Sequence, residues 1–138
     1  MKRSRKALAR AKLIAEADAL VRQLVFARDK HTCVADGAAG VYCSLQQYRV
    51  IQAAHIFPKG KHPRLRWHEP NILTMCFYHH MIWQHRNPLE FAAWFHQAYP
   101  NRMNELKLAD AVATKVDLKE LLIGLRLEVE ALCPSGNK

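Results

Sequence analysis

Two histidine positions and one asparagine have the residue types and spacing that hydrolytic chemistry at a metal requires. His55 is followed by Asn71, and Asn71 by a Cys-x-x-His-His run that ends in His80. A neutral imidazole can deprotonate water near neutral pH, and a second imidazole can ligate a divalent metal. We therefore predict His55 as a general base and His80 as a ligand of a catalytic metal. Asn71 cannot titrate, so its carboxamide is predicted either to pin the loop backbone between the histidines or to help ligate that metal.

The neighbouring histidines His79 and His80 are informative as a pair. On a helix with 3.6 residues per turn, adjacent side chains point about 100° apart. One of them can therefore face a structural metal while the other faces a cleft. His85 follows on the same segment, and the spacing allows it either to approach the catalytic metal or to lie on the surface.

Three cysteines and a histidine have the composition of a structural zinc site. Thiolates and imidazoles are the ligands that zinc prefers in such sites, and the candidates are Cys33, Cys43, Cys76 and His79. Cys76 and His79 stand at i and i+3, so one turn can present both to a single ion. The run between Cys33 and Cys43 must loop outward, and its glycines permit this. The alternative is a set of ordinary buried thiols, and Cys133 is interpreted as an uninvolved thiol.

The charge of the chain favours a polyanionic partner. Its formal net charge is +9 and its pI about 9.7, and nucleic acid is the usual partner of such a protein. Residues 1–12 carry Lys and Arg but no acidic side chain. They are predicted to be a basic arm that adds salt-dependent affinity, or only solubility. Four basic side chains of the loop between His55 and Asn71 are predicted to contact the DNA backbone: Lys59, Lys61, Arg64 and Arg66. For Arg66 a structural hydrogen bond is the alternative.

Hydrophobic periodicity and capping signals predict helices and short strands. The predicted elements are a helix over 7–27, strands over 48–56 and 71–75, a short helix after 76, and helices beginning at 87 and 117. Asn87 and Asp117 are predicted as N-caps of the last two helices. Phe91, Trp94 and Phe95 share a helix face that core packing explains most simply. The predicted fold class is α+β.

The length of 138 residues predicts one domain. We divide it into the basic arm (1–12), a central region (13–98) and a C-terminal helical extension (99–138). No long apolar segment follows the basic start, so we expect no signal peptide, no membrane span and a cytoplasmic location. In that reducing compartment, cysteines are expected to be metal ligands or buried thiols in preference to disulfides.

The central motif resembles the HNH endonucleases of the ββα-metal type. Their signature is a strand ending in His, a loop, an Asn, and then Leu-x-x-Cys-x-x-(Cys/His)-His opening a helix. The matching runs here are Ala54-His55, Asn71-Ile-Leu-Thr-Met-Cys76 and His79-His80. Upstream of them, Arg28-Asp29-Lys-His-Thr-Cys33 resembles a run that often precedes such a module. Within the family, residues 53–71 are similar to the phage recombination nucleases called NinG or Rap. The likeness covers about residues 20–96.

The resemblance implies a zinc-stapled ββα-metal core that hydrolyses DNA phosphodiesters, with Mg²⁺, Mn²⁺ or Ni²⁺ as catalytic metal. It also implies DNA as the partner, bound through its backbone during phage or prophage recombination or DNA processing. Many family members carry Asp or His as a metal ligand where this chain has Ala54. His55, Asn71, His85 or water would then complete the coordination here. The residues allow both nicking of duplex DNA and cleavage of branched DNA.

Two rival functions stay open at this point. A zinc-stapled DNA-binding or recombination-accessory module without catalysis is favoured by Ala54, but it has no need of the catalytic triplet of His55, Asn71 and His80. A protein-interaction domain built on the C-terminal helices is disfavoured by the uneven charge. A nuclease that cuts two strands favours a homodimer, with the helix over 118–132 as its interface.

Overall fold

A two-stranded sheet lies between two sets of helices in the computed structural model of this protein, which describes residues 4–43 and 50–132. The elements are α1 (Arg5–Arg28), β1 (Ile51–His55), β2 (Ile72–Cys76), a π-helix (Tyr78–Gln84), α2 (Pro88–Ala98), α3 (Arg102–Val112) and α4 (Leu118–Leu132). The predicted α+β class is confirmed. Within the two described ranges, no helix is both long and apolar enough to cross a membrane.

The antiparallel pairing of β1 and β2 sets the position of the histidines. Ile51 pairs with Cys76 at one end of the hairpin, and His55 pairs with Ile72 at the other. Every residue of β2 is buried, because helices cover both faces of the sheet. Alternate side chains of β2 therefore enter two different cores.

The first core joins α1, α4 and one face of the sheet. Ala17, Val21 and Leu24 of α1 are buried together with Leu122 and Leu125 of α4. The side chain of Ile72 from β2 completes this cluster. The residues Leu121, Leu122, Leu125 and Val129 recur at the helical spacing that predicts α4, and this leucine stripe packs against α1. Burial of these side chains is the main stabilisation of the two helices.

The second core is aromatic and supports the π-helix. Trp83 is buried together with Phe91, Phe95 and Leu106, and the half-buried Trp94 packs against them. The ring of Trp83 meets those of Phe91 and Trp94 edge-on, with centroids 5.6 Å apart in each pair, a favoured aromatic geometry. The prediction that the aromatic stripe of α2 is core packing is confirmed.

Two helix starts differ from the sequence-based expectation. Helix α1 begins at Arg5, after the Ser4 side chain accepts a hydrogen bond from Ala7 N at 3.2 Å, so residues 5–12 of the predicted basic arm are helical. The side chain of Asn87 does not cap α2. The Asn87 N–H instead donates to Trp83 O at 2.8 Å, which continues the preceding helix and takes its backbone out of the usual capping conformation.

The predicted cap of α4 agrees with the structure, whereas the first predicted strand is longer than β1, which covers only Ile51–His55. Asp117 does cap α4, since its Oδ1 accepts from the N–H groups of Lys119 and Glu120 at 3.0 and 3.2 Å. Residues 48 and 49 of the first predicted strand, and Cys133, lie outside the described residues.

Arg28 and Asp29 connect the end of α1 to β2. The Arg28 guanidinium forms two 2.8 Å hydrogen bonds with the Asp29 carboxylate, and also donates to Glu69 O at 3.0 Å and Ile72 O at 2.7 Å. Asp29 in turn accepts from Thr74 N at 3.0 Å. In the described part of the chain the sheet has two strands, so one edge of β2 has no neighbouring strand. Arg28 and Asp29 supply hydrogen-bond partners for backbone groups on that edge.

We predict that Asp29→Ala lowers the free energy of unfolding by about 2–4 kcal/mol. The variant leaves the Thr74 N–H and the Arg28 guanidinium without their carboxylate partner, and groups stranded in this way carry the cost of desolvation. Urea unfolding of zinc-saturated protein measures the loss.

Glu16→Ala is the matched control for that variant. It breaks the exposed 2.7 Å ion pair with Arg126, and an exposed pair contributes roughly 0–1 kcal/mol. Equal losses in the two variants would show that the Arg28–Asp29 joint does not hold α1 to the sheet.

Candidate functional site

Four side chains converge on one point beside the sheet with the composition of a metal site. The sulfur atoms of Cys33, Cys43 and Cys76 and a ring nitrogen of His79 all lie within 4.8 Å of one another. Cys33 is half-buried and the other three are buried. Three sulfurs and one imidazole form a donor set typical of structural zinc. The predicted grouping of these residues is confirmed, and the site can hold a metal ion.

The hydrogen bonding of His79 fixes which ring nitrogen faces the sulfurs. Its Nε2 lies 3.0 Å from Ala38 O. A carbonyl oxygen only accepts, so Nε2 carries the proton and Nδ1 carries the lone pair. That Nδ1 is 3.2 Å from Cys76 Sγ and 3.6 Å from Cys33 Sγ. A backbone carbonyl that orients a ligating imidazole is the usual outer partner in metal sites.

The thiols of Cys33 and Cys43 ionise less readily than a free thiol. Burial raises the pKa of Cys33, and it outweighs the backbone hydrogen bonds from Cys76 and Ala35, which act to lower that pKa. Burial also raises the pKa of Cys43, whose thiol donates to Asp36 Oδ1 at 3.3 Å. A bound divalent ion would supply the missing positive charge and release these protons.

The adjacent histidines of the π-helix point to different sites. His79 is buried in the cysteine cluster, whereas His80 lines an open cleft of about 640 Å³. The divergence predicted for two neighbouring helical residues is observed. His55 and His85 line the same cleft. The structure thus brings together His55 and His80, the two histidines predicted to be catalytic, and places beside them His85, for which the sequence left a surface role open.

One ring nitrogen of His55 has no hydrogen-bond partner among residues 4–43 and 50–132. Its Nε2 lies 2.8 Å from Arg66 O and donates to that carbonyl, so Nδ1 carries the lone pair. Burial lowers the pKa of His55, and the positive charge of Lys59 lowers it further. The ring is consequently neutral at pH 7 and can accept a proton.

His80 is also neutral at pH 7 and presents its other nitrogen. Its Nδ1 donates to Gln52 Oε1 at 2.8 Å, which leaves the lone pair on Nε2. Burial lowers the pKa of His80 to about 4, and the nearby charges of His85 and His55 add to the effect. The exposed ring of His85 meets that of His80 edge-on, with centroids 5.0 Å apart. A neutral imidazole with an available Nε2 is what metal ligation needs.

Asn71 is fully buried and bonded to the loop that follows β1. Its Oδ1 accepts from Phe57 N at 2.8 Å, and its Nδ2 donates to Phe57 O at 3.0 Å and Leu65 O at 3.2 Å. Both ends of the carboxamide are thus engaged with backbone groups. Of its two expected roles, pinning the loop matches this geometry.

The four basic residues of the loop fall into two groups. Arg66 forms a two-point ion pair with Asp18, at 3.0 and 2.7 Å, and Arg64 donates to Ala113 O at 2.9 Å. These contacts join the loop to α1 and to the end of α3. Lys59 and Lys61 are exposed, and Lys59 lines the cleft beside His55.

The Arg66–Asp18 pair is the structural alternative that the sequence allowed for Arg66. Trp67 Nε1 donates to the same carboxylate at 2.8 Å. Burial alone would raise the pKa of Asp18, but the hydrogen bonds from Arg66 and Trp67 hold the pKa below its usual value. The carboxylate therefore stays charged and keeps the Arg66 carbonyl positioned for His55.

Sequence reasoning missed two glutamines. Gln52 accepts from His80, and Gln84 Nε2 donates to His55 O at 3.0 Å. Gln84 follows His80 by four positions on one helical segment, and this spacing was a usable signal. Gln52 reaches His80 only through the β1–β2 pairing, for which the local sequence carries no signal.

Comparison with protein-family models, with curated proteins and with solved structures found no match for this chain. The cysteine cluster is also the one group of clustered metal-ligating side chains that the described residues form. A second metal in the cleft would therefore take only part of its coordination from preassembled protein ligands. Function is inferred below from the geometry of the cleft and the cluster.

We predict that Cys76→Ser lowers zinc content and thermal stability together. The purified parent should carry about one zinc per chain, and the variant much less. Loss of several kcal/mol of metal-linked stability should lower Tm by ~10 °C, since 1 kcal/mol shifts the Tm of a domain of this size by roughly 3 °C. Zinc analysis and thermal unfolding measure both quantities.

Cys133→Ser serves as the control because the sequence predicts Cys133 to be uninvolved. It should keep the zinc content and Tm of the parent. A full zinc complement in Cys76→Ser would contradict the assignment of this cluster.

Proposed function

We propose that this protein is a metal-dependent endonuclease of the HNH, ββα-metal type that hydrolyses DNA phosphodiester bonds. The observation that carries the proposal is that His55 lines one cleft with His80 and His85, with its Nε2 bonded to Arg66 O and its Nδ1 without a hydrogen-bond partner in the described part of the chain. The buried Asn71 carboxamide fixes the loop on the other side of His55. The HNH signature assigns these roles to residues in this order.

His55 is the general base of the proposed reaction. Its Nδ1 takes a proton from the attacking water, while the Nε2–H bond to Arg66 O holds the ring in one orientation. The Arg66–Asp18 pair holds that carbonyl in place. A base oriented by a fixed acceptor loses little rotational freedom when it acts.

His80 is the proposed ligand of the catalytic metal. Its Nε2 lone pair is available, and the adjacent ring of His85 can approach the same ion. A divalent metal held there would stabilise charge on the scissile phosphate and on the leaving 3′ oxygen. Imidazole ligands suit Mn²⁺ and Ni²⁺, and water would supply most of the shell for Mg²⁺.

The surface charge supports a polyanionic substrate. Lys59 and Lys61 are exposed on the loop after His55, where they can contact phosphates on either side of the scissile bond. The first two turns of α1 carry Arg5, Lys6 and Arg10, all exposed. Such contacts bind the backbone without reading its sequence, and the affinity they give falls with salt.

A DNA-binding accessory module without catalysis is the second candidate. Ala54 is buried beside Leu73 in the aromatic core, so it contributes no metal ligand at the position where many HNH proteins have one. This function predicts DNA binding without cleavage.

The similarity to NinG or Rap makes a four-way junction the branched DNA to test. The exposed side chains of Ile123 and Leu127 on α4 offer an apolar surface through which two copies of the chain could pair.

We predict that the zinc-loaded protein cleaves supercoiled plasmid or a four-way junction when Mg²⁺, Mn²⁺ or Ni²⁺ is added. His55→Ala should reduce the cleavage rate by at least ~100-fold, because general bases contribute about 100- to 10,000-fold. His55→Ala should still bind DNA with the affinity of the parent.

His96→Ala is the matched control, since His96 is an exposed histidine of α2 that does not line the cleft. It should cut as fast as the parent. Binding without cleavage by the parent, with every metal tried, would favour the accessory module.

We also predict that the cleavage rate rises with pH and is half-maximal below pH 6.5. Only the neutral form of His55 accepts a proton, and burial lowers the pKa of His55 below its usual value of 6.5. The neutral form therefore persists to lower pH than in a free histidine. Values of kcat/KM between about pH 5 and 8 locate the midpoint, because kcat/KM reports the pKa of the protein before it binds DNA. A midpoint above 6.5 would contradict His55 as the base.

A further inference from the structure

The contact between Gln52 of β1 and His80 of the π-helix fixes the state of a histidine in the cleft. His80 Nδ1 lies 2.8 Å from Gln52 Oε1. An amide oxygen only accepts hydrogen bonds, so Nδ1 carries the ring proton and Nε2 carries the lone pair. The nitrogen that a histidine leaves for a metal is set by the hydrogen bond that its other nitrogen makes.

The lone pair of His80 is accessible to solvent. Its Nε2 has no hydrogen-bond partner among residues 4–43 and 50–132. In the same two ranges, the buried side-chain nitrogens and oxygens that lack a partner are Trp83 Nε1 and Gln84 Oε1 alone. The half-buried His80 contributes neither of them, so its Nε2 keeps solvent-accessible surface, and its ring lines the open cleft.

The Gln52–His80 contact joins two elements whose positions are set independently. Gln52 pairs with Met75 in the sheet, which places it beside the strand that ends in Cys76. His80 lies on the π-helix that starts from the turn between Cys76 and His79. Both side chains of the contact are half-buried, and side chains held in this way keep a defined orientation.

The donor atoms of the cleft suit a divalent transition metal. His80 offers Nε2, and the exposed ring of His85 lies edge-on to it with centroids 5.0 Å apart. Neutral imidazoles are suitable ligands for Mn²⁺ and Ni²⁺. A group that accepts the second N–H of a ligating histidine fixes the ring orientation and raises its basicity, and losing it costs roughly 10- to 100-fold in metal affinity or activity.

We propose that Gln52 is a positioning residue that holds His80 in the Nδ1–H tautomer and so presents Nε2 to a divalent cation in the cleft. This inference rests on the proposed endonuclease function, in which His80 ligates the catalytic metal. Gln52 acts through His80 alone and exchanges no proton. Without its oxygen, the ring is free to carry its proton on Nε2, and in that form Nε2 has no lone pair for a metal.

NMR measures the tautomer of His80 independently of cleavage. Long-range ¹H–¹⁵N spectra of the zinc-loaded parent near pH 7 should show Nδ1 protonated and Nε2 unprotonated, and His80→Ala assigns these signals. Gln52→Met removes the acceptor at similar length and should admit the Nε2–H form. Gln52→Glu keeps an acceptor oxygen and should keep Nδ1–H. Gln97→Met, on the exposed face of α2, makes the same chemical change away from the cleft and should leave His80 as in the parent.

Calorimetric titration of the zinc-loaded, tag-free protein with Ni²⁺ measures the consequence for metal binding. Gln52→Met and Gln52→Ala should raise the Kd for Ni²⁺ by roughly 10- to 100-fold. Gln52→Glu should bind at least as tightly as the parent, Gln97→Met should match it, and His80→Ala should lose this binding step. Zinc content and Tm are measured in every variant and should stay at parent values, because the contact lies outside the cysteine cluster.

Each contrary result has a distinct meaning. A parent with the proton on His80 Nε2 overturns the acceptor role of Gln52, and so does an unchanged tautomer in both Gln52→Met and Gln52→Ala. A changed tautomer with an unchanged Kd overturns the link from Gln52 to metal binding. A parent that shows the expected tautomer and binds Ni²⁺ through His80, but cuts no DNA with any metal, overturns the endonuclease proposal and leaves the role of Gln52 standing.

Discussion

The turn from Cys76 to His79 is the constraint on which the rest of the site depends. It places the Cys76 sulfur at the end of β2 and the His79 imidazole in the first turn of the π-helix, at the same candidate metal site. The His79 N–H also donates to Cys76 Sγ at 3.4 Å, which fixes the direction in which the helix leaves the sheet. With His79 held on that side, the next side chain must point elsewhere, and His80 enters the cleft. A structural metal at this turn would thus position His80, the proposed ligand of the catalytic metal, without contacting it.

The opposite wall of the cleft is held without a metal. The buried carboxamide of Asn71 gathers the loop after β1, and the Asp18 carboxylate holds Arg66 from α1. Arg66 O then accepts from His55. The two walls are joined where Gln84 donates to His55 O. Each of these supports is a buried or half-buried hydrogen bond between separate segments of the chain, and together they limit the movement of His55.

Much of the fold could be predicted from the sequence because its signals are local. The leucine stripe of α4 and the aromatic stripe of α2 have the helical period, and the cysteine and histidine spacing indicates one metal site. The contacts that the sequence left open are long-range. Whether Arg66 meets DNA or Asp18 depends on the docking of α1 some 48 positions away. The capping signal at Asn87 was wrong because the chain passes from the π-helix into α2 without the extended residue that capping requires.

X-ray absorption at the zinc edge of the purified protein tests the metal centre most directly. The structure predicts a four-coordinate site with three sulfur ligands at about 2.3 Å and one nitrogen ligand at about 2.0 Å. The spectrum of the His79→Ala variant should lose the nitrogen ligand and keep the sulfurs if it still binds zinc. A parent spectrum with only nitrogen and oxygen ligands, or with two sulfurs, would contradict a zinc site built by Cys33, Cys43, Cys76 and His79.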